Sequence, residues 1–277
     1  MSPLSWVFVV AGAASTFAWL ASLVTRDYSW VDRSWSIVPV AYLWVFAGAA
    51  HAKNSRLDLM AILITLWGVR LTYNFARKGG YRGVEDYRWA VLRQRMSPRR
   101  FQFFNFFFIV LYQNVLLVLI TLPALSVFEH TSRPFGAMDV ALGALFIVLL
   151  AYETLADQQQ WIFQRRKSQE VAERGAATVR FVQSGLFRYS RHPNYFFEIA
   201  QWWVVFLFAV AATGSLWQWT VLGAVLLTLL FVGSTRFTEE ITLSRYPEYA
   251  DYQRRTSPVI PWFASRDTPP IAARVPD

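Results

Sequence analysis

The sequence concentrates its chemically reactive side chains in the stretch from Gly185 to Glu198, which lies between two long apolar segments. Within fourteen residues this stretch holds two arginines, one histidine, two tyrosines, one amide and one carboxylate. Polar groups at the edge of a bilayer are costly unless they bind a ligand or one another, so a binding site is expected here. Guanidinium groups bind phosphates bidentately. The pattern therefore favours a phosphate-bearing cofactor that arrives from the aqueous side.

Further polar side chains lie in or beside other apolar segments. They are Asp32, Arg70, Glu153, Asp157, Asn194 and Glu198. Glu153 and Asp157 are four residues apart, as are Asn194 and Glu198, so each pair shares one helix face. For any one residue, an interhelical ion pair is an equally good explanation, although charges inside membrane segments are functional-site hypotheses by default. All except Arg70 fall near the predicted cytoplasmic helix ends, which favours a shared cavity.

Composition restricts the class of protein. Of the 277 residues, 55% are apolar, 17% aromatic and only 16% charged, and apolar runs long enough to cross a bilayer recur. This combination predicts an all-α integral membrane protein. The net charge of +9 is expected to reflect cytoplasmic loops rather than nucleic-acid binding. There is no cysteine, and the three histidines form no His-Glu-x-x-His pair, so no metal site is expected.

The apolar pattern predicts seven transmembrane helices. They cover residues 4–24, 35–50, 57–75, 105–128, 135–163, 195–212 and 216–235. Lysine and arginine crowd the loops after the third, fifth and seventh helices, whereas the opposite side has only Lys53, Arg56 and Arg133. The positive-inside rule then places the N-terminus outside and the C-terminus in the cytoplasm. The first apolar run is expected to be a retained span rather than a cleaved signal peptide.

The stretch from Gly185 to Glu198 resembles the C-terminal signature of the steroid 5-alpha-reductase family. Its Arg191–Tyr195 portion is similar to the Arg-His-x-Asn-Tyr segment of the sterol C14 and C7 reductases. Segments 31–35, 66–71, 83–88 and 249–261 look like the bacterial branch of the same superfamily. The resemblance touches both ends and the middle of the chain. It is more specific for the superfamily than for a substrate.

This resemblance implies an NADPH-dependent reductase that reduces the Δ4 C=C bond of 3-oxosteroids or of a similar hydrophobic enone. Asp32 falls where the family has the glutamate that holds the 3-oxo group. Trp67 stands where the family has a tyrosine, so either Tyr28 or Tyr73 is expected to supply the phenol. A carboxyl in an apolar pocket has a raised pKa, which would allow Asp32 to donate a hydrogen bond to the carbonyl oxygen.

The resemblance also implies a set of cofactor-binding residues. Those that match or replace family positions are Glu153, Asp157, Arg165, Arg166, Arg180, Asn194, Glu198, Arg236 and Glu240. Of these, Glu153 replaces an asparagine and Glu240 replaces a histidine. The remaining predicted members are Arg88, Tyr189, Arg191, His192, Tyr195 and Arg254. A loop hydrogen-bonding role explains His192 equally well.

Under this interpretation residues 1–277 form one domain, with a substrate-pocket half at 1–130, a cofactor-binding half at 131–265 and a tail at 266–277. The tail, with its paired prolines, is expected to be a frayed end. The expected location is a bacterial inner membrane, with the active site open to the cytoplasm. The expected partners are membrane lipids and a steroid or isoprenoid enone that arrives from the lipid phase. A monomer is expected.

Two other classes of protein compete with this interpretation. Membrane methyltransferases of the isoprenylcysteine or phospholipid type, which use S-adenosylmethionine, also carry an Arg-His-Pro-x-Tyr stretch and a later Glu-Glu pair. This chain has Arg191–Tyr195 and Glu239-Glu240 in that order. Asn194 with Glu198, Asp157 and the Asp32 segment favour a reductase. A non-catalytic lipid-binding or transport protein is disfavoured, because the polar side chains collect on one side without a path across the membrane.

Overall fold

The computed structural model of the chain describes residues 1–263. The predicted tail at 266–277, including the cations Arg266 and Arg274, lies outside the described residues. Within 1–263 every regular element is a helix. This agrees with the predicted all-α class.

The first half of the chain forms a series of helices that differ in length. They are α1 (Pro3–Thr25), α2 (Trp30–Ser34), α3 (Val38–Ala49), α4 (Ser55–Arg77) and α5 (Tyr87–Arg95). A nearly continuous helix from Pro98 to Glu129 follows, composed of α6 (Pro98–Phe104), a π-helical segment (Asn105–Tyr112), α7 (Gln113–Thr121) and α8 (Pro123–Glu129). The later helices are α9 (Ala137–Arg174), α10 (Pro193–Thr213), α11 (Val221–Arg245) and α12 (Tyr249–Arg255).

Six helices within the described residues are long and apolar enough to cross a membrane. They are α1, α4, the Pro98–Glu129 helix, α9, α10 and α11. The chain is therefore a multi-pass helical membrane protein. The predicted span at 35–50 contains α3, whose 12 residues cover only about 18 Å, against about 30 Å of hydrocarbon. Pro39 at the start of α3 suits a new helix that follows the turn after α2. The count of seven spans and the orientation of the termini stay predictions.

The chain divides into two compact units. The first unit contains Met1–Ile147 and Gln201–Thr228, and the second contains Val148–Ala200 and the chain from Leu229 onward. The predicted halves, divided at residue 130, do not coincide with these units, because α9, α10 and α11 each contribute residues to both. The prediction of a single domain stays a prediction.

In the first unit, α4 packs closely against the turn before α3. A Cβ atom at Gly68 would lie 2.6 Å from the carbonyl oxygen of Ser36 and equally close to the side chain of Val40. The hydroxyl groups of Ser36 and Thr72 are 2.7 Å apart one turn further along α4. Glycine is therefore required at position 68 of the Leu-Trp-Gly-Val-Arg segment, because any side chain would separate the two helices.

A buried ion pair joins the start of α4 to the start of α9 within the first unit. Arg56 Nε donates to Asp139 Oδ1 at 2.5 Å, and Arg56 Nη2 donates to Asp139 Oδ2 at 2.9 Å. The same guanidinium donates to the carbonyl oxygens of Arg133 at 3.2 Å and Pro134 at 3.1 Å. Asp139 also accepts a hydrogen bond from the backbone N–H of Gly136 at 2.9 Å. The pair thus fixes the loop before α9 as well as both helices.

Replacement of Arg56 alone is expected to destabilise the protein strongly. The Arg56→Met variant leaves the Asp139 carboxylate buried without its counterion, at a cost of about 3–5 kcal/mol. The double variant Arg56→Met/Asp139→Leu removes both charges and should recover most of this loss. Thermal unfolding in detergent, followed by size-exclusion chromatography, measures the difference. A double variant less stable than the single one would contradict this account of the ion pair.

Candidate functional site

The predicted site residues occupy both units. The Asp32 group lies in the first unit, where the residues after α1 fold back on themselves. Asp27 accepts a hydrogen bond from the Ser29 backbone N–H at 3.0 Å and forms an ion pair with Arg33. Arg33 Nε donates to the Gly80 carbonyl at 2.9 Å, and the Tyr81 hydroxyl donates to the Arg33 carbonyl at 3.0 Å. These contacts anchor α2, which carries Asp32, to the turn after α4.

The Asp32 carboxyl is held by a tryptophan that sequence reasoning missed. The indole Nε1–H of buried Trp89, on α5, donates to Asp32 Oδ2 at 2.9 Å. Burial, and secondly the nearby charge of Asp86, raise the pKa of Asp32 to about 6, whereas Arg88 and hydrogen bonds from Trp89 and Ser29 oppose the rise. The chain therefore favours the protonated form of this carboxyl more than water does.

Tyr28 is the better placed of the two candidate phenols. It is buried, its ring meets Phe101 edge-on at 4.7 Å, and its oxygen accepts a hydrogen bond from Gln102 Nε2 at 2.9 Å. Because the Gln102 amide donates to that oxygen, the phenol proton is available for another acceptor. Tyr28 and Trp89 belong to one apolar cluster. The structure therefore brings Tyr28 and Asp32 into the same neighbourhood through Trp89.

The other two predicted substrate residues lie elsewhere in the first unit. Tyr73 is 66% exposed on α4, and the guanidinium of Arg77 lies 5.5 Å from its ring centre. Trp67 is completely buried and packs edge-on against Trp202 at 5.0 Å. The predicted roles of Tyr73 and Trp67 stay predictions, and Tyr28 is the phenol that shares a cluster with the Asp32 partner.

In the second unit, the Gly185–Glu198 stretch begins at a glycine with a positive φ of 63°. A Cβ atom at Gly185 would lie 2.5 Å from the side-chain oxygen of Gln159. That oxygen accepts a hydrogen bond from the Leu186 backbone N–H at 2.9 Å. Both the left-handed backbone and the close approach require glycine. The Gly-Leu-Phe segment is thus docked onto α9 before α10 begins.

A buried carboxylate organises the middle of this stretch. Glu239, on α11, accepts hydrogen bonds from Arg191 Nε at 2.6 Å and from Arg191 Nη2 at 2.9 Å. His192 Nε2 lies 3.0 Å from the same carboxylate. The Tyr249 hydroxyl and the Gln253 amide, from α12, donate to it at 3.3 Å and 2.9 Å. Glu239 therefore joins the loop before α10, α11 and α12.

Residues 256–263, which we term the C-terminal strap, run along the backbone of residues 189–192. The backbone N–H groups of Arg191 and His192 donate to the carbonyls of Ser257 at 2.8 Å and Pro258 at 3.1 Å. The backbone N–H of Trp262 donates to the Tyr189 carbonyl at 2.9 Å. Within this unit, the C-terminal strap therefore lies over residues 189–192 of the predicted cofactor loop.

Two buried phenols of α12 complete this arrangement. The Tyr252 hydroxyl donates to the Phe187 carbonyl at 2.5 Å, and the Tyr249 hydroxyl donates to Glu239. Burial raises the pKa of both Tyr249 and Tyr252, so both phenols remain neutral donors at physiological pH. The aromatic residues of the C-terminal region therefore hold the loop by hydrogen bonds as well as by packing.

Arg191 and His192 make intramolecular contacts that hold the loop against α11 and α12, and their predicted role as cofactor ligands stays a prediction. Besides Glu239, the Arg191 guanidinium binds the carbonyl oxygens of Gln253, at 2.9 Å, and Thr256. The sequence did indicate that Glu239 could be important, because the Glu-Glu pair follows the Arg-His-Pro stretch in the pattern of the membrane methyltransferases. Glu239 was nevertheless absent from the predicted site.

The remaining predicted cofactor residues differ in exposure. Arg180 is half exposed, pairs with Glu248 at 3.2 Å and lies 5.7 Å from the Tyr246 ring centre. The exposed members are Arg165, Arg166, Tyr189, Arg236, Glu240 and Arg254. The buried members are Glu153, Asp157 and Glu198. At the start of α10, the Tyr195 ring stacks on His192 with ring centres 5.1 Å apart, and Asn194 is partly buried.

Arg88 is the predicted cofactor residue that belongs to the first unit. It lies in the first unit at the start of α5 and pairs with Asp86 at 2.8 Å. Asp86 is the same carboxylate whose charge contributes to the raised pKa of Asp32. Arg88 therefore belongs to the surroundings of Asp32. Within the part of the chain that the structure describes, no three histidine or acidic side chains are placed to hold a metal ion.

The fold and these groups define a multi-pass helical membrane protein with polar clusters beside its helices. Residues 18–256 match the family described as "Protein of unknown function (DUF1295)", and the chain belongs to this family. It is 38% identical over 258 residues to an uncharacterized protein of Schizosaccharomyces pombe, a match that covers 88% of this chain and 75% of the yeast protein. No solved structure matches the chain. A yeast relative gives no support to the predicted bacterial inner membrane.

Asp32 is expected to titrate near pH 6 in the folded protein. Its folded pKa is raised above the ordinary value of 3.8, so the proton it keeps stabilises the fold at low pH, and this contribution is lost as the pH rises through about 6. Labelling with 5-fluorotryptophan gives a ¹⁹F resonance for Trp89, assigned by its loss in Trp89→Phe. That resonance should shift with a midpoint near pH 6, and Asp32→Asn should abolish the shift. A midpoint at or below pH 4 would contradict the raised pKa.

Loss of the Glu239 carboxylate is expected to release the loop and the strap together. Glu239→Leu leaves the nearly buried Arg191 guanidinium without its counterion, at a cost of about 3–5 kcal/mol. Hydrogen exchange at the backbone amides of Arg191, His192 and Trp262 should accelerate. The exposed neighbour provides the matched control, since Glu240→Leu should leave these amides protected. Equal acceleration of hydrogen exchange in both variants would contradict the conclusion that Glu239 holds the loop and the strap in place.

Proposed function

We propose that the protein is an NADPH-dependent reductase of the C=C bond of a hydrophobic enone, such as the Δ4 bond of a 3-oxosteroid. The observation that carries the proposal is the Asp32 carboxyl, whose pKa is raised to about 6 and which shares its surroundings with the buried phenol of Tyr28. A carboxyl that is protonated below about pH 6 and a neutral phenol are both donors that suit a carbonyl oxygen that becomes negative during the reaction.

Reduction of an enone requires a hydride at the β-carbon while negative charge develops on the carbonyl oxygen, and a proton from water then binds the α-carbon and restores the ketone. NADPH supplies the hydride. Protonated Asp32 and Tyr28 donate hydrogen bonds to the carbonyl oxygen, and one such donor lowers the barrier by roughly 3–4 kcal/mol. The Trp89 indole donates to Asp32 Oδ2, and the Ser29 side chain also hydrogen-bonds this carboxyl, so both residues orient it. A bound apolar substrate would exclude water and raise the pKa of Asp32 further.

The cations of the second unit suit a phosphate-bearing cofactor. Arg165, Arg166 and Arg236 are exposed, and Arg180 is half exposed, so phosphate oxygens can reach their guanidinium groups. In this proposal Arg191 and His192 are positioning residues that hold the loop through Glu239. Asn194 and Glu198, at the start of α10, remain the proposed direct contacts.

The proposal includes a seven-helix arrangement in which the enone enters from the lipid phase. The excess of arginine in alternate loops supports a cofactor that arrives from the cytoplasm. The protein would then act as a monomer in the membrane, and no part of the proposal requires nucleic acid or a metal ion.

A membrane methyltransferase that uses S-adenosylmethionine is the second candidate, because one observation favours it. Arg191 and His192 of the Arg-His-Pro stretch contact Glu239 of the Glu-Glu pair directly, at 2.6 Å and 3.0 Å. These are the sequence elements that the chain shares with such methyltransferases. The raised pKa of Asp32 has no role in that reaction, which is why the reductase is preferred.

Purified protein incubated with progesterone or testosterone should consume NADPH and give a product two mass units heavier. Because the protonated form of Asp32 is the donor, the rate should decline as the pH rises above about 6. Asp32→Asn should reduce turnover at least tenfold, remove this pH dependence and leave NADPH affinity nearly unchanged.

Arg180→Gln is the matched variant in the other unit, and it should weaken NADPH more than NADH if Arg180 binds the 2′-phosphate. Transfer of a methyl group from S-adenosylmethionine, without consumption of NADPH, would replace the reductase by the second candidate. Equal loss of turnover and NADPH affinity in Asp32→Asn would contradict the assignment of Asp32 as a residue that contacts the substrate.

A further inference from the structure

The C-terminal strap carries large apolar side chains that are exposed. Ile260 is 65% exposed, Trp262 is 70% exposed and Phe263 is 82% exposed. Pro258 is also exposed, and the positions between Pro258, Ile260 and Trp262 are partly buried. The strap therefore divides into a partly buried side and an apolar, exposed side. Exposed apolar side chains that are grouped in this way mark sites of contact with a membrane or another protein.

Hydrogen bonds and ring packing fix the strap beside the start of α10. Besides the backbone bonds described above, the Ser190 hydroxyl donates to the Val259 carbonyl at 2.7 Å. The Phe263 ring meets the Tyr189 ring edge-on, with ring centres 6.3 Å apart. Residues 189–192 come immediately before α10 in the chain. The strap that is bound to them therefore lies at the level of the first turn of this helix.

The length of α10 determines the depth of that turn in the bilayer. α10 is one of the helices that are apolar enough to cross a membrane, and its 21 residues cover about 31 Å. The hydrocarbon core is about 30 Å thick, so Pro193, at the start of α10, must lie at its edge. The strap then lies in the headgroup region of the same leaflet. Tryptophan side chains are enriched at this depth.

Exposed cations lie beside the strap. Arg188 precedes Tyr189, whose ring meets Phe263, and Arg254 lies two residues before the strap begins. Both arginine side chains are exposed. Anionic lipid headgroups attract such cations, and basic residues combined with aromatic ones are typical of segments that lie in the membrane interface. Lipid is therefore a better match for this side of the strap than the apolar surface of another protein.

We propose that the C-terminal strap is a membrane-interface anchor. Ile260, Trp262 and Phe263 insert at the boundary between the lipid headgroups and the acyl chains, which removes their apolar surface from water. Because the strap is hydrogen-bonded to residues 189–192, its insertion also holds this loop against the bilayer. The inference does not rest on the proposed reductase function.

A fluorescent label on the strap measures its contact with lipid. The chain has no cysteine, so the NBD fluorophore can be attached to one introduced cysteine in the Ile260→Cys variant, which keeps Trp262 and Phe263. The labelled protein is reconstituted in vesicles of phosphatidylcholine and phosphatidylglycerol, with and without lipids that carry a nitroxide near the headgroup end of the acyl chain. The nitroxide should reduce the fluorescence about twofold, because an anchored label reaches the acyl-chain boundary.

Val179→Cys is the matched control, since Val179 is also apolar, 49% exposed and part of the second unit. Its neighbour Arg180 accepts a hydrogen bond from Lys167 Nζ at 2.6 Å through its backbone carbonyl. Lys167 lies about 45 Å along α9 from Ala137, well beyond a hydrocarbon core of about 30 Å. The label at position 179 should therefore be quenched by aqueous iodide and not by the nitroxide lipid.

Three outcomes would overturn the proposal. Equal quenching by the nitroxide lipid at positions 260 and 179 would show that the label itself partitions into lipid. Quenching at position 260 by iodide alone would place the exposed side of the strap in water. Protection of that label from both quenchers would mean that protein, such as a second copy of this chain, covers the strap.

Hydrogen exchange measures whether the anchor holds the loop. In the same vesicles, Trp262→Ser should accelerate exchange at the backbone amides of Arg191 and His192 about tenfold, because the strap that protects them loses its largest inserted side chain. Val179→Ser removes an exposed apolar side chain elsewhere in the unit and should leave these amides unchanged. Unchanged exchange in Trp262→Ser, or equal acceleration in both variants, would overturn the anchoring of the loop.

Neither measurement uses NADPH or a steroid. A failure of the membrane anchor is therefore distinguishable from a failure of the proposed reductase function.

Discussion

The fold depends on the hydrogen bonds and counterions that are available to polar groups buried among mostly apolar helices. A buried charge is tolerated only when a counterion and further hydrogen bonds surround it. Arg56 and Asp139 meet this condition in the first unit, and Arg191 and Glu239 meet it in the second. In both cases the guanidinium also binds backbone carbonyls, so each ion pair fixes a loop as well as a helix. The loops that carry the candidate site are thereby defined as firmly as the spans.

The two candidate groups use polarity in different ways. Around Glu239, side chains of Arg191, His192, Tyr249 and Gln253 all contact the carboxylate, and the result is a support for the 185–198 stretch. Around Asp32, burial raises the pKa of the carboxyl although Trp89 and Ser29 both hydrogen-bond it. The Tyr28 hydroxyl accepts from Gln102 and keeps its own proton for another acceptor. A buried carboxyl with a raised pKa is a candidate for a functional site, whereas a buried carboxylate paired with an arginine stabilises the fold.

Sequence patterns predicted the helical membrane class because apolar runs of spanning length are a direct consequence of bilayer thickness. They also selected Asp32, since a carboxylate beside an apolar run is unusual. They did not reveal Trp89 as its partner, because the two residues are 57 positions apart and only the folded loops bring them together. Tyr73 was as good a candidate as Tyr28 in the sequence. The side of α4 on which Tyr73 lies depends on how that helix packs, and spacing alone does not give this.

The cofactor prediction had a similar limit. Most arginines near the sequence signature were predicted to bind the cofactor, although a guanidinium can equally hold the chain together. Arg191 illustrates the difference, since its donors are taken by Glu239 and by carbonyls of the C-terminal segment. The length of α3 was also overestimated, because the residues before Pro39 form a separate short helix and a turn. Mean hydropathy is taken over a window of residues, so it does not detect such a break between two helices.

The short α3 has a consequence for the surrounding lipid. This helix is about 18 Å long and exposes Trp44, whereas the hydrocarbon core of a typical bilayer is about 30 Å thick. For this segment to cross, the acyl chains beside it must compress, at a cost of a fraction of a kcal/mol for each ångström of mismatch. Membrane thickness then contributes to the free-energy difference between a conformation in which this segment crosses the bilayer and one in which it does not. Thin membranes would favour the crossing, and sterol-rich, thicker ones would oppose it.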